Sequence, residues 1–241
     1  MKTLFNAVLY RPLFNLLIFL YNIIPGHDIG LAIIALTLIV KFALHPFAKQ
    51  SIKAQKVMQD LQPKLNELNK KYKDDKEKRT MEMLKLYKEE KINPFSSCLP
   101  LLLQFPFLIA VFLVFKNGLS SESLHMLYPF VKNPGVINSI SFGFLDLAKP
   151  NVALAILAGA AQYWQTKMML VNAPPKDLQN KEGAKDETMT AIMSKQMTFM
   201  MPLFTVIIGL TLPGGLTLYF LVFSLLMGFQ QMHVLKNKKS E

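Results

Sequence analysis

Apolar positions along the chain gather into blocks rather than alternating over short distances. Stretches of about 20 mostly apolar residues, the length needed to cross a bilayer as helix, fall at 29–47, 94–116, 150–170 and 196–233. The "LPGG" at 212–215 divides the last into 196–213 and 214–233. The pattern predicts an all-α polytopic membrane protein with a five-span helical core.

Polar segments separate these blocks. Over 48–93, Val57, Leu61, Leu65, Leu68 and Tyr72 recur at helical spacing, "KKYKDDKEK" supplies a turn, and Met81, Leu84, Leu86 and Tyr87 begin a second helical run. This reads as a cytoplasmic helical hairpin, with Lys64, Lys70, Lys71, Lys73, Lys78 and Arg79 as candidate partner-docking residues. Residues 117–149 form an outer loop interrupted by Pro129, Pro134 and Gly135, 171–195 a polar cytoplasmic loop, and 234–241 a basic tail. In residues 1–28, Arg11, Asn15 and Asn22 share one helical side, which suits an N-terminal interfacial helix. An extra span or a signal segment are the alternatives there.

Charge placement supports a topology. If the first span runs outside to inside, the cytoplasmic pieces 48–93, 167–195 and 236–239 hold 21 of the 27 Lys and Arg, the outer pieces hold five, and Lys41 is the remaining one. The net charge of +11 therefore reads as positive-inside asymmetry. No motif calls for specific nucleic acid binding.

Lys41 interrupts "LTLIVKFALHPF". A lysine at the centre of a spanning helix costs about 2.5–3.5 kcal/mol. No Asp or Glu lies in any of the five spans to pair with it, so water, backbone carbonyls or headgroups are its expected partners. Six residues separate it from Phe47, about 9 Å of helix, so snorkelling is one reading. The sharper one rests on shared faces. Thr37, Lys41 and His45 are four apart. Ser97 and Gln104, Gln162 and Thr166, Thr198 with Thr205 and Gly209, and Thr217 with Ser224 and Gln231 form further polar seams. Turned inward, these would make a hydrated cationic groove. Small and hydroxyl residues gluing helices together is the competing reading.

Other chemistries find no support. There is no P-loop, HExxH pair or GxSxG elbow, and His27, His45, His125 and His233 lack metal-ligand spacing. Cys98 reads as a small packing residue. The stripe Met189, Met193, Met197 and Met201 suits ordinary packing, with a client-facing surface as the alternative. No enzyme activity, cofactor or metal is expected.

The run "LQPKLNELNKKYKDDKEKRTMEMLKLYKEEKINPFSSCLPLLLQFPFLIAVF", with "LPGGLTLYFLVFSLLMGFQQ", closely resembles the YidC-type membrane protein insertases of the Oxa superfamily. The resemblance implies a five-span core whose groove opens to cytoplasm and lipid and holds a basic residue on the first span, at the position of Lys41. The family usually has Arg there, and Trp and Asn where this chain has Phe220 and, nearby, Ser224. The chain shows neither the large outer domain nor the long basic tail of many relatives.

The resemblance implies an insertase working without nucleotide hydrolysis in the bacterial plasma membrane, with a cytoplasmic C-terminus and a groove lined by Lys41, Thr37, Gln104, Gln162, Thr166, Thr198, Thr205, Thr217, Tyr219 and Ser224. Nascent membrane proteins and membrane lipid are the implied partners, with the ribosome, signal recognition particle receptor and Sec translocon as candidates for the hairpin. A monomer is expected to suffice. A small-solute transporter or channel, or a translocon-bound assembly factor, are the rival readings; no internal repeat favours the transporter.

Overall fold

The computed structural model describes residues 2–72, 75–90, 106, 108–114, 125–170 and 187–237. Helix dominates them. Segments Lys2–Phe5, Asn6–Tyr10 (a π turn) and Arg11–Ile23 follow one another and together make α1. Ile29–Ala43 is α2, His45–Asp60 α3, Gln62–Lys71 α4 and Lys76–Glu89 α5. A helical stretch at 108–114 precedes the two-residue antiparallel strands Ile140–Ser141 (β1) and Leu145–Asp146 (β2). Val152–Leu170 is α6, Glu187–Gly209 α7 and Gly214–Asn237 α8.

By length and composition α8 is a candidate span on its own, over Gly214–Val234. Helix α2 passes the same test together with the start of α3, across a 63° bend. The segment 29–47, expected as one span, is bent after Ala43. Pro46 has no amide hydrogen to continue the ladder and its ring crowds the carbonyl four residues back, at Phe42, so the helix breaks after Ala43 and restarts at His45. Pro63 acts likewise, separating α3 from α4 at Leu61. The first arm of the helical hairpin expected over 48–93, with its seam Val57, Leu61, Leu65, Leu68 and Tyr72, is thus two helices, one beginning at His45 and the other at Gln62.

The core lies where α1, α2, α8 and the 108–114 stretch meet. Phe14 and Ile18 of α1, Ala32, Ile33 and Leu36 of α2, Val111, and Leu216 and Tyr219 of α8 are all buried there. Helix α6 packs between α7 and α8 through small residues that let backbones approach. Gly159 lies against Val206, Gly209 against Ala155, and Gly228 against the ring of Trp164.

The segment 125–149 closes the end of the bundle where α2 and α8 begin. The polar side of α1 grips it: Arg11 Nε and Asn15 Nδ2 donate to the Met126 carbonyl at 3.0 and 3.1 Å, and Asn22 Nδ2 donates to the Lys132 carbonyl at 2.7 Å. The Arg11 guanidinium also sits 4.7 Å from the Tyr128 ring centroid. Asp28 caps α2, accepting from Gly30 N (2.8 Å) and Leu31 N (3.1 Å), and its carboxylate also accepts from Ser141 Oγ and from Phe142 N (2.6 Å). On the other side, Gly214 N and Gly215 N donate to the carbonyls of Lys149 and Leu147, both at 2.9 Å.

Candidate functional site

Helix α2 carries Thr37 and Lys41 on the side that faces α8. Thr37 is buried and spends its hydroxyl on the Ile33 carbonyl of its own helix, 2.7 Å away. Lys41 is only 8% exposed, so it does not snorkel to open solvent. Its Nζ donates to Met227 Sδ at 3.0 Å and lies 4.3 Å from the centroid of the Phe223 ring. Both partners are on α8. A thioether is a weak acceptor, and a desolvated cation over an aromatic face gains about 2 kcal/mol, so neither neutralises the charge. The expectation that water, carbonyls or headgroups would serve Lys41 overlooked these soft acceptors.

One turn further on, beyond the bend, His45 Nδ1 lies 3.1 Å from Gln230 Nε2. Lys41 and His45 therefore both address α8, although they belong to different helices. Gln231 is 1% exposed, and among the described residues neither atom of its amide has a hydrogen-bond partner, nor does the buried Gln230 oxygen. Gln231 follows Met227 by about one helical turn, on the face of α8 that meets Lys41.

Gln162 belongs to a second cluster. Its side-chain oxygen accepts from Thr205 Oγ1, its carbonyl accepts from Thr166 Oγ1 at 2.8 Å, and Thr205 also donates to the Met201 carbonyl at 3.1 Å. Of these, the Thr205–Gln162 bond joins α6 to α7, while the other two stay within their own helices, an arrangement that fits the competing reading of such seams as helix glue. Thr217 similarly donates to the Gly209 carbonyl at 3.5 Å, across the α7–α8 turn. Thr198, Tyr219 and Ser224 are buried, and Tyr219 stacks on Phe223 with centroids 5.9 Å apart. Ser97, Gln104 and Cys98 lie outside the described residues, as do the side chains of Met189, Met193 and Met197.

In the charged hairpin, Lys64 pairs with Glu90 across α4 and α5, and the hydrogen bond to that carboxylate, with its charge, holds the lysine above the ordinary range. The ammonium groups of Lys71 and Lys78 lie 5.5 and 5.7 Å from the Tyr72 ring centroid. Asp75 caps α5 by accepting from Lys78 N at 2.9 Å. Between the helices is a cavity of about 310 Å³ lined by both signs of charge, including Lys64, Glu67, Lys85 and Glu89. Arg79 is part-exposed on α5; Lys73 and the side chain of Lys70 lie outside the described residues.

Residues 19–241 match the family described as 60Kd inner membrane protein. The chain belongs to that family. Its relatives include proteins named membrane protein insertase YidC, so it is a YidC-type member of the 60Kd inner membrane protein family. The one from Clostridium tetani is 36% identical over 204 residues, covering 84% of this chain and 79% of its own. Those of Treponema denticola and Actinobacillus pleuropneumoniae serotype 3 are each 35% identical, over 98% and 94% of this chain but 38% and 36% of theirs. The chain thus spans little over a third of the length of those two.

In this YidC-type chain the sequence reading missed Phe223, Met227 and Gln230. A signal for the first two was present: Tyr219, Phe223, Met227 and Gln231 recur every four residues, so they share the face of α8 that meets Lys41. Aromatic and thioether side chains read as packing unless a buried cation is sought opposite them.

Proposed function

We propose that the protein is a membrane protein insertase that lowers the cost of moving short polar segments of a client helix across the bilayer without covalent chemistry or nucleotide hydrolysis. The observation that carries this reading is Lys41, buried between α2 and α8 with a thioether and an aromatic face and no carboxylate among its described contacts. A cation held so weakly is available to an incoming acid. Two unit charges 4 Å apart attract by about 4 kcal/mol at an effective dielectric near 20, before desolvation is subtracted.

In this reading the five apolar blocks span the membrane, the Lys-rich hairpin and the C-terminus face the cytoplasm, and the groove opens to cytoplasm and lipid. A client's polar end enters beside Lys41, His45 and Gln231, where polar groups replace part of its hydration. Its apolar part then moves sideways into lipid, which supplies the driving force. Membership of the family, and relatives named as membrane protein insertases, support the assignment. The hairpin, with its exposed lysines, docks the machinery that delivers clients: ribosome, signal recognition particle receptor or Sec translocon.

The test is reconstitution of the purified full chain in liposomes with a small one-span client. Protease-protected client in the absence of other proteins is the expected result. Solute flux without client protection would instead favour a transporter, and neither result an accessory assembly factor.

A further inference from the structure

We propose that the tip of the β1–β2 hairpin, Ile140, Phe142 and Phe144, is embedded in the headgroup–acyl boundary of the bilayer beside the start of α2, with membrane lipid as its partner. Phe144 is 83% exposed, and Ile140 and Phe142 are also open. Three large apolar side chains exposed within five residues are an uncommon use of surface if water is the surrounding medium.

Two independent ties fix the depth of this tip. On one side Asp28, the cap of α2, holds Ser141 Oγ and Phe142 N, and Gly30 in the first turn of α2 lies directly against Ser141. On the other, the carbonyls of Leu147 and Lys149 accept from Gly215 N and Gly214 N at the start of α8. The hairpin is therefore level with the beginnings of two helices that are candidate spans by length and composition, α8 on its own and α2 with the start of α3. With those helices spanning the bilayer, that level is the headgroup–acyl boundary, into which apolar side chains such as Phe and Leu bury from the surface.

The backbone and charges of the tip agree with this medium. The amide of Phe142 donates to Asp28, and that of Phe144 donates to the Ser141 carbonyl at 3.2 Å, so both remain satisfied where water is scarce. Residues 140–145, "ISFGFL", carry no charge. The neighbouring Asp146 and Lys149 pair with each other at 3.1 Å on the far side of the turn.

The proposal requires α2 and α8 to span the bilayer but does not require that the protein insert clients. It is tested with nitroxide labels on Phe144→Cys and Ile140→Cys, each in a Cys98→Ser chain reconstituted in phospholipid vesicles. Collision rates are read with oxygen, which concentrates in lipid, and with a neutral nickel chelate, which stays in water. Leu225→Cys on α8 and Met81→Cys on α5 are the lipid and water references. Labels at 144 and 140 are expected to favour oxygen over nickel several-fold relative to Met81→Cys. A nickel-dominated response matching that reference would overturn the proposal, as would shielding from both reagents, which would mean a protein occupant. If Leu225→Cys itself responded to nickel, the spanning assignment would fall with it.

Discussion

Lys41 Nζ donates to Met227 Sδ at 3.0 Å, linking the last turn of α2 to α8 through a bond between a cation and one of the weakest acceptors a protein offers. A structural ion pair would use a carboxylate, and a purely structural position would not need the charge. The pairing suits a group meant to exchange its partner for a better one.

Replacing Lys41 should therefore separate charge from packing. Lys41→Arg is expected to keep insertion of clients with acidic polar ends, because a positive field remains even though a planar guanidinium differs in shape. Lys41→Ala and Lys41→Glu are expected to slow those clients about tenfold, the effect of roughly 1.4 kcal/mol surviving from the Coulomb attraction after desolvation. Insertion rates in liposomes measure this; equal rates for all three variants would rule out a role for the charge.

Among the described residues, neither polar atom of the buried Gln231 amide has a hydrogen-bond partner, a condition that costs about 1–3 kcal/mol. Gln231→Met, similar in volume and apolar, is expected to raise the melting temperature in detergent while lowering client insertion. A variant that is both less stable and fully active would show that the amide is structural.

Gly228 is expected to admit no side chain. A Cβ there would come within 2.8 Å of ring atoms of Trp164, and that ring is packed edge-on against Phe229. Gly228→Ala should destabilise the α6–α8 contact by about 1–3 kcal/mol, the usual cost of overpacking. Trp164→Leu in the same chain should recover part of the loss, as read by thermal denaturation; additive losses would mean that the two residues do not meet.

Gly30 offers a parallel test at the other end of the bundle. An added Cβ would lie 2.9 Å from the Ser141 Cβ and against its hydroxyl. Gly30→Ala is expected to loosen the 125–149 segment, seen as faster proteolysis there, and Ser141→Gly should partly restore protection by vacating the space. Faster cleavage in the double variant than in Gly30→Ala alone would contradict the contact.

Asp28 predicts a pH dependence. Desolvation pushes its carboxyl upward, but hydrogen bonds from Ser141, Phe142, Leu31 and Gly30 together outweigh that and hold it below its ordinary value of 3.8. A carboxylate depressed in the folded state contributes stability above that value and loses it as pH falls below. The stability difference between the parent and Asp28→Asn, measured by thermal denaturation, should be constant near neutrality and shrink below about pH 3.8. A difference that grows in acid would reverse the sign of the argument.

The helical character of the chain was legible because apolar runs such as "IGLAIIALTLIV" have only helix as a stable form in lipid. Lys41 stood out because a charge in such a run is rare. What could not be read was which side chains meet across helices. Gln162 and Lys41 look alike as isolated polar residues in apolar runs, yet among the described residues one bonds to Thr205 on α7 and the other to Met227 on α8. Spacing orders residues along one helix and is silent about its neighbour. The bend at Leu44 was written in Pro46, but a proline near the end of a span also suits a simple terminus, and only the packing of His45 against Gln230 tells the two apart. The polar side of α1 was visible in Arg11, Asn15 and Asn22; its use against the carbonyls of Met126 and Lys132 depends on contacts more than a hundred residues away in sequence.

The break between α2 and α3 also bears on how such a chain tolerates change. In an unbroken helix each inserted residue would rotate everything on one side relative to the other by about 100°. A hairpin growing or shrinking by a residue could then swing Lys41 away from α8 or set the two at odds. The 63° corner cuts that transmission, so a change of length beyond it leaves the register that aims the ammonium where it is.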